Sequence, residues 1–183
     1  MARSFNAVLS ASGRSAQMTS PPDFFAEYPE RLRGRTLEPS VVYELATDRY
    51  AVHKAETRSA VDREGDLGDD SAVRVVMGQP SGDEVSGGGL GPVYRLKPAG
   101  TVAVPTGLIF IRFKPGVNAA DRSADIRRSG YEVVETVEYA PQSAWLSVPS
   151  GDIAKALGGI VALERLADME NVEPQMLMPR AAR

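Results

Sequence analysis

Leu108-Ile109-Phe110-Ile111-Arg112-Phe113, closed by Lys114-Pro115-Gly116, is the stretch on which the fold of this chain turns. It is a short apolar run of strand-forming residues, and the proline and glycine behind it end the strand in a turn. Both of its sides are apolar, with Leu108 and Phe110 on one and Ile109, Ile111 and Phe113 on the other. A strand of that kind is either covered on both faces or presents one of them to a partner.

Downstream, Asn118 reads as a helix N-cap, with Asp121 well placed in the first turn for the helix dipole. Ala119, Ala120, Ser123 and Ile126 share a face of that helix, and Gly130 is its stop signal. Residues 131–139 alternate imperfectly, with Tyr131, Val133, Val137 and Tyr139 on one side, and predict a second strand. A connection of hairpin length leads to a third, residues 144–148. There Ala144, Leu146 and Val148 form the core row and Trp145 points the other way. Pro149 to Asp152 turns the chain and caps a second helix, running from Ile153 to about Met169. Gly158-Gly159 inside it costs roughly 1 kcal/mol per glycine relative to alanine, so a kink or break is expected there. Residues 172–178 are extended and apolar, and Pro174 confines them to a sheet edge or the start of a strand.

The order strand, helix, strand, strand, helix, strand predicts an α+β fold. The expected form is a ferredoxin-like βαββαβ sandwich, an antiparallel sheet with two helices on one face. Its second face is either a binding surface or is covered by upstream residues such as 93–104 folding back. The chain before it reads as less regular. Residues 1–22 end in Ser20-Pro21-Pro22 and read as a tail, and residues 23–77 as a small region with short strands, at 41–52 and 73–77. Within that region, Asp62 to Ser71 is acidic and turn-rich. Residues 78–105 have the Gly, Ser and Pro content of a linker, 106–179 form the main domain, and 180–183 a second tail.

The inventory excludes several functions. With 183 residues, a net charge of -3 and a pI near 5.3, the chain has no basic field to collect phosphates. It has no cysteine, so disulfides and thiolate chemistry are ruled out. The N-terminus has no apolar run of signal-peptide length, and no window approaches the roughly 18 apolar residues of a membrane span. A cytoplasmic protein without a membrane partner is the expectation. His53 is the single histidine, too little for a histidine metal site. Asp66, Asp69 and Asp70 do not fit the spacing of a twelve-residue calcium loop and read as a solvated loop. The glycines at 87–91 lack the Lys and Ser/Thr of a phosphate loop. No catalytic residue, metal or cofactor is expected.

IRFKPGVN, RRSGYEVVETV, AWLSVPSGD and ALERLADMENVEPQ, in this order between about 106 and 178, resemble the propeptide of subtilisin-type serine proteases. The matching pattern is a strand ending in F-K-P-G, a strand beginning G-Y-x-V, and a terminal A-L-x-x-L segment followed by V-E-P. This chain departs from it in the Gly158-Gly159-Ile160-Val161 insertion and a shorter V-E-P segment, and no protease domain follows in the sequence. The resemblance therefore implies a non-enzymatic protein that inhibits a separately encoded subtilisin-type protease or assists its folding as a chaperone. The other reading is an interaction or scaffold module of a larger assembly, using the same sheet face.

In the family the sheet face rests on the protease and the C-terminal segment lies along the substrate cleft. Carried to this chain, that segment is Gln175, Met176, Leu177, Met178 and Pro179, with backbone pairing supplying affinity. Trp145 belongs to the sheet face. The resemblance makes Glu135 and Glu138 candidates to cap helix N-termini of the protease, against the simpler reading that each is a solvated surface acid.

Overall fold

The computed structural model describes residues 23–37, 40–53, 73–87 and 89–179. The tails at 1–22 and 180–183, and the acidic stretch with Asp66, Asp69 and Asp70, lie outside the described residues. A single turn of 3-10 helix, Phe24–Glu27, opens the fold, capped by the Asp23 carboxylate accepting from the Phe25 N–H. Strands β1 (Arg31–Arg33), β2 (Val42–His53) and β3 (Val73–Met77) follow, then the short helix α1 (Gly82–Gly87), β4 (Leu90–Lys97) and the long strand β5 (Thr101–Phe113). A 3-10 turn, Ala119–Arg122, leads into α2 (Ser123–Arg128), β6 (Glu132–Val137) and β7 (Ala140–Ser147). Helices α3 (Ile153–Gly158) and α4 (Ile160–Glu164) and the strand β8 (Met169–Leu177) complete it.

Among the described residues the strands form one eight-stranded sheet in the order β1-β2-β4-β5-β7-β6, with β3 added to β2 and β8 added to β5. Every pair is antiparallel. This corrects the expected ferredoxin-like two-helix sandwich, because the protein is mostly antiparallel sheet and the sheet curls on through the N-terminal half. The reason lies in β5. The strand does not start at Leu108 but at Thr101, and its first residues pair with β4, Tyr94 opposite Ala103 and Leu96 opposite Thr101. β4 in turn pairs with β2. The stretch 78–105, read as a linker, thus holds α1, β4 and the beginning of β5.

Glycine in that stretch serves close packing rather than flexibility. A Cβ on Gly91 would lie 2.6 Å from Nε2 of His53, so glycine lets β4 pass against the buried imidazole. The expected single helix from Ile153 is divided at Gly159, where a Cβ would collide with the hydroxyl of Tyr131. That hydroxyl donates to the carbonyl of Ala156. Asp152 accepts from the N–H groups of Ala154 and Lys155 and caps α3, as its position in the sequence predicts.

The sheet carries two apolar clusters. The larger one joins Ile109, Ile111 and Phe113 of β5 to Ala144, Leu146, Val172 and the helix residues Ile126, Ile153, Leu157 and Leu163. Leu32, Tyr43 and Tyr94 belong to the same cluster, so the N-terminal strands share this core. The smaller one is built from Ala46, Ala51, Val73, Val93, Val104 and Leu177.

Candidate functional site

Strand alternation places one row of side chains on the helix-covered face and the next on the opposite face. Ile109 stands opposite Leu146 and Pro174 in the first row, and Phe110 opposite Trp145 and Glu173 in the second. Glu135 of β6 is the register partner of Trp145, so the outer face reads Glu135, Trp145, Phe110, Glu173 across four strands. Phe110 and Trp145 meet edge to face with ring centroids 5.1 Å apart, a favourable arrangement for aromatic rings. Both rings remain half-buried. Glu135 is exposed on this face, whereas Glu138 sits in the turn between β6 and β7, beside the fully projecting Tyr139.

The C-terminal segment is divided by the fold. Gln175, Met176 and Leu177 are the end of β8, with Met176 opposite Pro105 and Leu177 opposite Val104. Leu177 is 6% exposed and belongs to the smaller core. The Gln175 side chain is held as well, its amide oxygen accepting from the Thr106 hydroxyl at 2.7 Å. Of the five residues assigned to partner contact in this segment, only Met178 and Pro179 project from the sheet.

Beside that end lies a cleft of about 360 Å³. Trp145, Met176 and Met178 form its C-terminal wall, and Gly34, Val41 and Tyr43 its N-terminal wall. Arg35 spans its rim and pairs with Glu173 at 2.9 Å. Burial, together with the Glu173 carboxylate, pushes the Tyr43 phenol above its ordinary pKa, so it stands in the cleft as a neutral hydroxyl. Next to Arg35 in the chain, Thr36 crosses to β8. Its N–H donates to the side-chain oxygen of buried Asn171, and its hydroxyl lies 3.2 Å from the Val172 nitrogen and 3.3 Å from the Val172 carbonyl.

Sequence reasoning placed Trp145, Glu135 and the end of β8 in this neighbourhood but missed Arg35, Thr36 and Tyr43. No periodicity announces them, because they reach β8 across more than a hundred residues of chain. A second cleft, of about 390 Å³, lies between Phe24, Tyr28, Leu90 and Ile153 and contains none of the predicted residues. Burial, then Glu27 and Asp152, pushes the Tyr28 phenol in it up to about 12. Among the described residues no group of three metal-ligating side chains converges, and no helix is long and apolar enough to cross a membrane.

Compared with known proteins, the chain matches no family model, no curated protein and no solved structure. These residues bring together a half-buried aromatic pair on the sheet face, a cleft lined by Trp145, Tyr43, Met176 and Met178, and a strand end leaving the sheet beside it.

Proposed function

We propose that the chain binds a separately encoded subtilisin-type serine protease, inhibiting it or assisting its folding, with the outer sheet face on the protease and the C-terminal end directed into the substrate cleft. The observation that carries this reading is the juxtaposition of the half-buried Phe110–Trp145 pair with the end of β8, where the chain leaves the sheet at Met178. Aromatic anchors surrounded by polar groups supply most of the energy of protein interfaces, and an extended segment adds backbone pairing. Glu135, on the same face as Trp145, gives that surface a carboxylate able to meet a helix N-terminus.

The burial of Leu177 refines the reading. It makes this residue a fixed point, so the segment entering the protease begins at Met178. Inhibition of a broad-specificity subtilisin is measured with the full chain and with a version ending after Leu177, which keeps all of β8. Inhibition at micromolar concentrations by the full chain, lost in the shortened one, is the expected result. A folded full chain that leaves the protease fully active refutes the proposal.

A further inference from the structure

The walls of the cleft beside Trp145 are held by contacts of one kind and its mouth by a contact of another. At the base of the β1–β2 hairpin, Leu32 and Tyr43 are register partners and both are buried in the larger core. Above them Gly34 packs so closely that a Cβ there would collide with Val41 and meet the Tyr43 ring. Two residues on, Thr36 is tied to β8. Its N–H donates to Asn171, itself 2% exposed, and its hydroxyl accepts from the Val172 N–H and lies 3.3 Å from both the Val172 carbonyl and the Glu164 carboxylate.

Arg35 stands between these two anchors, so its main chain is fixed on either side while its side chain is not. The guanidinium reaches from the N-terminal wall across the cleft to Glu173 on the β8 wall, Nε to Oε2 at 2.9 Å. After burial, the Glu173 carboxylate raises the pKa of the Tyr43 phenol and Arg35 lowers it, so the pair lies beside that hydroxyl. The Arg35 side chain is 56% exposed. An ion pair open to water on one side is weak, because salt screens it and a long side chain loses freedom to hold it. The hydrogen bonds of Thr36 are partly buried and feel salt far less. The cleft is therefore crossed at its mouth by the weakest of its contacts.

We propose that the Arg35 side chain is a gate on the Trp145 cleft. Paired with Glu173 it bars the mouth; when the pair is broken it swings into solvent and leaves the cleft open, with the main chain unmoved. Arg35 and Thr36 together make a strap on β8, of which Thr36 is the fastening and Arg35 the part that opens. This rests on the partner-binding reading for what uses the cleft, and adds what regulates access to it.

Trp145 is the single tryptophan of the chain, so its fluorescence reports on this cleft alone. Quenching by acrylamide, an uncharged probe, is measured on the full chain in low and in high sodium chloride. The wild type is expected to be quenched about twofold more readily in high salt, as the screened pair opens. Arg35→Gln and Glu173→Gln are each expected to show the high-salt value already in low salt, and to respond no further. Both leave the core residues in place, and circular dichroism checks that they fold.

A wild type whose quenching does not change with salt overturns the gate, and this arm needs no variant. So does a salt response that persists in Arg35→Gln, which would assign it to some other contact. A rise in Arg35→Gln but none in Glu173→Gln would make the size of the arginine, not the bar, what covers the ring, and also overturns it. The same proteins are assayed against a subtilisin. No inhibition by the wild type removes the protease reading, while the fluorescence of the free chain still decides the gate.

Discussion

β5 runs through two regions that are built in different ways. From Ile109 to Phe113 it lies between β7 and β8 with helices packed on its inner row, and Ile109, Ile111 and Phe113 are all fully buried. From Thr101 to Val104 it lies against β4, and the apolar cluster there consists of alanines, valines and Leu177. Large side chains under helices stabilise the first region. The second has small residues in contact, and ion pairs along β2: Glu44 with Arg31 and Lys97, Asp48 with Arg49 and Arg95. The difference teaches that the N-terminal half is a dependent extension of the sheet. Two of its buried rings, Tyr43 and Tyr94, reach into the core of the other half, and its own cluster needs Leu177 from β8.

Phe113→Ala puts the greatest load on this comparison. The ring is fully buried among β5, β8 and the helices, and removing it is expected to cost about 3–5 kcal/mol. Because Leu32, Tyr43 and Tyr94 share that core, urea unfolding followed by circular dichroism and by tryptophan fluorescence is expected to stay a single coincident transition. Two separated transitions would break the picture of a dependent N-terminal half. Leu177→Ala comes next, at about 2–3 kcal/mol, since its neighbours are small and the site collapses more easily. Its loss is expected to loosen amide protection in β4 and at the end of β8 while β7 keeps its own. Uniform loosening throughout would merge the two clusters into one.

These regions were not equally legible in the sequence. β6, the second half of β7 and the helix caps at Asn118 and Asp152 follow from alternation, turn residues and cap chemistry, all local signals, whereas residues 140–143, read as the connection, already belong to β7. β4 escaped because Gly91 and Pro92 are strand breakers by propensity, and the packing that demands Gly91 involves His53 at the end of β2. The start of β5 escaped in the same way, since Pro105 and Gly107 interrupt the apolar run while the strand continues through them. Trp145 was readable as part of an outer face by counting along its strand, whereas Glu135 came from the family resemblance: strict alternation puts it in the row of Val133 and Val137, and the irregularity between Val133 and Glu135 sets it opposite Trp145. The Arg35–Thr36 strap was not readable, as its bonds to Asn171, Val172 and Glu173 depend on a fold that brings distant segments together.

The smallest expected effect tests the charged side of the comparison. Hydrogen bonding to Lys97 holds the Glu44 carboxyl below its ordinary pKa, with Arg31 adding to it; hydrogen bonds from Arg49 and Arg95 depress Asp48 well below the usual carboxylate range. A carboxyl with a depressed folded pKa contributes stability above its unfolded pKa of about 4, and that contribution is lost as the pH falls toward and through the folded value. Both groups are open to solvent, so the contribution is small and screened by salt. Asp48 lies in the irregular stretch of the β2–β4 register between Leu45 and Tyr50, where ladder pairing is interrupted and its arginine contacts take over. Lowering the pH below about 4 is therefore expected to lower the melting temperature more in low salt than in high salt. A protein carrying Glu44→Gln and Asp48→Asn together is expected to have a shallower acid dependence, with little change near neutral pH. An acid dependence identical to the wild type's would mean that strand pairing and the shared core alone hold the N-terminal half, and that its ion pairs are surface decoration.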